Sequence, residues 1–135
     1  MIRTLGQLRA EDALNQVRKI EKECSPEVQE KFATYTEGLP AAILNNGLGQ
    51  ACAALLARAE GKKDDAHYLL FEALEKWLCR DDPHAPYRKS ENLMDAIVGG
   101  SRSDYILAQE EALAWLEWLK KFAVAFFKKH EKKES

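Results

Sequence analysis

Histidine and cysteine are both scarce, with three of each in 135 residues. His67, His84 and His130 fall in a helical pattern, a loop and the tail. No HExxH, no Glu-x-x-His pair and no Cys/His ligand spacing occurs, so a zinc or di-iron site has no basis in the sequence and no metal or cofactor is expected. Cys24, Cys52 and Cys79 are an odd number without a CxxC, which excludes a disulfide framework and reads as reduced, mostly buried thiols. A serine nucleophile elbow is missing as well. The acid pairs Asp64-Asp65, Asp81-Asp82 and Glu110-Glu111 read as a helix start, loop solvation and an exposed helix face. An enzyme is therefore the minority reading.

Proline is rare too, at four residues, while 46% of the chain is hydrophobic and 31% charged, a balance that excludes disorder or a fibre. An unbroken membrane span is lacking. The uncharged stretch "LPAAILNNGLGQACAALLA", residues 39–57, is interrupted by a proline, two asparagines, a glutamine and two glycines. Its "NNGLGQ" cluster has no Gly-Lys-Ser/Thr and follows no strand, which excludes a P-loop. The N-terminus becomes amphipathic within its first residues instead of forming a charged and then apolar leader, so the chain is read as cytoplasmic.

What is present is helical punctuation from end to end, without the alternation of hairpins, so the fold class is all-α. A compact bundle of about six helices in a single domain over 1–135 is expected, with 1–7 and 129–135 as flexible ends. Ala10, Ala13, Leu14, Val17, Ile20 and Cys24 repeat at three and four residues in the first helix. Ser25-Pro26 caps and opens a second, which Gly38 closes in the left-handed conformation. Pro40 opens a third, running to about Ala59. Asp64 or Asp65 starts a fourth, "RDDPHAPYRKS" at 80–90 is a long loop, Ser90 caps a short fifth, and Ser101 with Asp104 starts the last.

In that last helix Tyr105, Ala108, Ala112, Trp115, Leu119, Phe122 and Phe126 form a heptad-like seam. Further apolar residues lie off it, among them Leu113, Leu116, Trp118, Val124 and Phe127. The surplus makes the helix either central or shared with a partner chain, and Trp118 and Phe127 are the candidate interface residues. In the third helix Gly47 and Gly49 lie on faces of small residues that admit a neighbouring helix closely. Asn46, with Asn45 and Gln50, then needs buried partners.

Charge is nearly balanced at net −2, but residues 120–135 hold six lysines against two glutamates. A local positive patch of this kind meets nucleic acid, an acidic partner or only water.

The segment "GLPAAILNNGLGQACAALLARAEG" resembles the Leu-Pro, Ile, Asn-Gly-Leu segment of the small all-helical subunit of the type III-B CRISPR effector, the Cmr complex. "QLRAEDALNQVRKI" is similar to that family's N-terminal helix, and "QEEALAWLEWLKKFAVAF" to its C-terminal Trp-Leu-Lys-Lys/Arg-Phe-Ala motif. With "YTEGLP" and "HYLLFEALEKWL", the resemblance covers roughly residues 7–127. It implies a non-enzymatic building block whose copies stack into a filament beside the crRNA-bearing backbone subunits and touch the large polymerase-like subunit. Its role would be to shape and charge the groove in which crRNA and target RNA pair, cleavage belonging to other subunits.

Basic groups then need only neutralise phosphates, since pairing with crRNA reads the sequence. Carried over by position, the candidate RNA-backbone residues are Arg9 of the Arg-Ala start and Lys120 and Lys121 of the C-terminal motif. Arg18, Lys19, Arg58 and Lys62 are added to them. The negative net charge, the lysines beyond Lys128 and the 80–90 loop depart from the family's pattern. Two rivals stay open on the residues alone: a free-standing homo-oligomeric helical adapter without RNA function, and a helical-bundle enzyme with a cysteine or carboxylate site.

Overall fold

The computed structural model describes residues 2–128. They form six helices and no strand: α1 Leu5–Glu23, α2 Pro26–Asn46, α3 Leu48–Ala59, α4 Ala66–Leu78, α5 Leu93–Gly99 and α6 Arg102–Phe127. The expected all-α bundle is what folds. The lysine-rich end beyond Lys128, with His130, lies outside the described residues. Helix already begins at Leu5, inside the stretch expected to be an end, because Thr4 and Gln7 complete a capping box.

α6 is the axis of the bundle. α1 lies along it in the same direction, Arg9 opposite Glu111 and Asp12 opposite Trp115. α2 runs the other way, packing Phe32 against Phe127 at one end and delivering Leu48 to Gln109 at the other. α3 and α4 cover α2, and α5 rests on α3. Ala13, Val17, Leu70, Leu74, Trp115, Leu116 and Leu119 meet in one core. Each such side chain contributes about 1.5–3 kcal/mol when fully buried, and together they override the weak preferences of single residues.

The clearest override is α2. Gly38 and Pro40 were expected to end one helix and begin the next, yet α2 continues through both. Phe32, Ala33, Thr36, Leu39 and Ile43 form a single buried stripe at three- and four-residue spacing across them. Continuity of that stripe outweighs the roughly 3 kcal/mol that an interior proline costs. Gly38 is exposed, with open space where a Cβ would stand.

The break falls instead within the NNGLGQ cluster. Gly47 has φ 87° and ψ 159°, a region essentially reserved for glycine, and joins α2 to α3. A Cβ there would stand 2.9 Å from the Tyr105 hydroxyl. The bend brings the start of α3 onto α6. Gln109 Oε1 accepts the Leu48 N–H at 3.0 Å, and the Tyr105 hydroxyl accepts the Gly49 N–H at 3.1 Å. Helix-end donors that α3's own sequence leaves uncapped are thus satisfied by side chains of α6. The expectation of a continuous small-faced helix here is corrected: Gly47 is a joint, and Gly49 is the one of the two that packs within a helix, with its Cβ position 3.4 Å from Ile97. Asn45, Asn46 and Gln50 are exposed and need no buried partners.

These two glycines should respond oppositely to the same substitution. Gly47→Ala should cost about 1–3 kcal/mol, because its backbone region is strained for any side chain. Gly38→Ala should stabilise by about 0.5–1 kcal/mol, the ordinary helix-interior difference. Urea unfolding followed by circular dichroism checks both, and a neutral Gly47→Ala would contradict the strained joint.

Candidate nucleic-acid interface

The candidate basic residues do not form one site. Arg9, carried by α1, turns inward: its Nε and Nη2 donate to the two oxygens of Glu111 at 2.7 and 2.9 Å. Hydrogen bonding to Glu111 raises its pKa against the opposing effect of burial, so the charge is firmly held. Arg18 is exposed on α1, and Lys19 sits over the cleft between α1 and α4, 3.9 Å from Glu72, with Lys63 on the far side. The like charge of Lys76 nearby pulls the Lys19 pKa down. Arg58, in the last turn of α3, and Lys62, in the turn that follows, are exposed.

Lys120 and Lys121 do come together. Both line a shallow groove between α6 and α2, with Glu37, Val124 and Ala125. Lys121 is exposed and lies 3.8 Å from Glu117, a solvent-screened pair that leaves its charge available. Two turns further, Lys128 donates to Thr34 at 2.6 Å and pairs with Glu37 at 3.2 Å. Lys128 extends the same basic edge, and the sequence reading had passed over it.

The candidate subunit-interface residues divide. Trp118 is 39% exposed and stacks on Phe122 with ring centroids 6.0 Å apart. Phe127 is 6% exposed and packs edge-on against Phe32, so it belongs to the core. Its neighbour Phe126, at 43%, is the exposed one. The slip has a geometric cause: a straight helix drifts about 20° per heptad from a seven-residue seam, and by the last turn the inward position has moved by one residue.

The main residue that sequence reasoning missed is Glu111. Expected on an exposed face, it is 8% exposed and joins three helices. Arg9 reaches it from α1, and Trp77 of α4 donates its indole N–H at 3.0 Å. Beside this node Trp115 donates to Asp12 at 2.8 Å, and the Arg80 guanidinium lies 3.6 Å over the Trp77 ring. Burial pulls the Arg80 pKa down and pushes the Asp12 pKa up. The only advance signal was the placement of Glu111 one residue before Ala112 on a helix apolar over much of its circumference.

The thiols are inert packing. Cys52 and Cys79 are buried and free, and burial pushes their pKa values to about 12 and about 11. Among the described residues, no group of three or more His, Cys, Asp or Glu could hold a metal ion, and no helix is long and apolar enough to cross a membrane. Residues 5–126 match the family model described as CRISPR-associated protein (Cas_Cmr5).

Two substitutions test the node. Glu111→Ala leaves Arg9 and the Trp77 N–H without an acceptor and should cost about 3–5 kcal/mol, read as a lower denaturant midpoint. Asp12, its pKa raised by burial, holds its proton to higher pH in the folded chain than in the unfolded one. Stability owed to that group is present below the unfolded carboxylate range and declines as pH rises through the folded value. Asp12→Asn retains an oxygen for Trp115 and should flatten that decline; an unchanged pH profile of unfolding would rule Asp12 out as its source.

Proposed function

Because the chain belongs to the Cas_Cmr5 family of CRISPR-associated proteins, and is thus a small subunit of the Cmr, type III-B, assembly, we propose that it is a non-catalytic cytoplasmic filament subunit lining the groove where crRNA pairs with target RNA. Its partners are further copies of itself, the crRNA-bearing backbone subunits and the large polymerase-like subunit. The observation that carries the reading is the adjacency of Lys120 and Lys121 in the groove between α6 and α2. Two lysines on a rigid helix offer positive charge at fixed spacing to a phosphodiester backbone, and no base-reading geometry is needed.

Arg18, Lys19, Arg58 and Lys62 are secondary contacts in this reading, since they are exposed or half-exposed but dispersed. Arg9 acts at one remove, by holding Glu111 and hence the angle of α1 on α6. Self-association fits the exposed Trp118 and Phe126, which present aromatic surface on the C-terminal half of α6.

Lys120→Ala with Lys121→Ala, in the assembled complex, should weaken target-RNA binding and lower the slope of log K against log salt by up to about two units. The variant chain should still fold and assemble, as neither side chain is buried. A slope equal to that of the unaltered complex would remove both lysines from the RNA groove.

A further inference from the structure

We propose that the face formed by the Pro83–Tyr87 loop and the N-terminal half of α6 docks a basic protein segment that carries an apolar anchor residue. The inference rests on the chain being one subunit of a larger assembly; the surface itself is described by its own geometry. Leu5, Pro83, Pro86 and Leu107 line a cleft of about 540 Å³ together with His84, the Arg9–Glu111 pair and two further carboxylates, Asp104 and Glu110. A second cleft on the other side of the loop shares Pro86 and Asp104 and adds Asp95.

Charge decides what can enter. Asp95, Asp104 and Glu110 have no cationic partner within 4 Å among the described residues, and the arginines that line the two clefts are engaged, Arg9 with Glu111 and Arg88 with Asp81. Three unpaired carboxylates repel phosphates and attract lysine or arginine. Between them Leu5 and Leu107 are 36% and 55% exposed, giving one apolar side chain a floor to bury against. RNA does not fit this face.

The loop is already in place for a partner. The Ala85 N–H donates to Asp82, the Tyr87 N–H to Leu78 and the Lys89 N–H to Cys79, all at 2.9–3.1 Å. Ala85 and Tyr87 are buried beneath it, and two prolines fix its backbone. A surface that needs no ordering on contact loses little affinity to entropy.

The test places a benzophenone photo-crosslinking amino acid at Leu107 in the full chain within the assembled Cmr complex, with mass spectrometry of the cross-linked peptide. The expected product joins Leu107 to a segment of another protein subunit that has an excess of Lys and Arg around an apolar residue. Asp104→Asn with Glu110→Gln should lower its yield by about tenfold, and raised salt should do the same. Cross-links to RNA, to a second copy of this chain or to an acidic segment would overturn the inference. So would no cross-link, or a yield that ignores both the charge change and salt. An unaltered chain that joins no complex would overturn the proposed function together with the inference, whereas the other failures leave that function standing.

Discussion

The buried carboxylate of Glu111 fixes how the outer helices sit on α6. It stands near mid-helix, accepts both arms of Arg9 from α1 and accepts the Trp77 indole from α4. Hydrophobic packing alone brings helices together with little directional preference, but a carboxylate with three donors on two other helices accepts one register. A shift of α1 by a turn, about 5.4 Å, would leave Arg9 without its acceptor and the buried Glu111 with the Trp77 N–H alone. The neighbouring Asp12–Trp115 bond repeats the restriction one turn along. Two polar links one turn apart therefore set both the rotation and the translation of α1.

At the opposite end of α2 a different device sets register. Gly47 turns the chain so that the first free N–H groups of α3 meet Gln109 and Tyr105. α6 thus supplies acceptors for α3, through these caps, and for α1 and α4, through Glu111 and its neighbours. A helix that serves three others in this way must stay straight and well packed, which is what Ala108, Ala112, Trp115, Leu116, Leu119 and Ala123 in its inner face provide.

Much of this was legible because local chemistry and tertiary structure agree. Ser25, Asp65 and Ser101 cap the helices their positions suggest, since a short oxygen-bearing side chain before an apolar period satisfies free N–H groups in any context. Gly38 and Pro40 misled because punctuation is a weak preference, and the buried stripe from Phe32 to Ile43 overrules it. Glu111 was hidden for a related reason: a glutamate inside a helix looks solvated until the arginine that meets it, 102 residues away, is known. Phe127 and Phe126 exchanged roles through a rotation too small for a seven-residue pattern to register. Of the candidate RNA residues, pattern alone could not separate Arg9, whose charge is consumed within the bundle, from Lys120 and Lys121, whose charges face a groove.

That separation gives the subunit a polarity. Asp104 and Glu110 stand on the N-terminal half of α6, and Lys120, Lys121 and Lys128 on and just beyond its C-terminal half. Of these only Asp104 stands in an end turn, where the helix dipole favours an acid by about 0.3–1 kcal/mol. The distribution as a whole divides the helix surface by sign. With a screening length of about 8 Å at physiological salt, the two ends of a 26-residue helix act independently on what approaches them. A chain near neutral overall thus carries surface regions of opposite sign, and it needs no large net charge to do so.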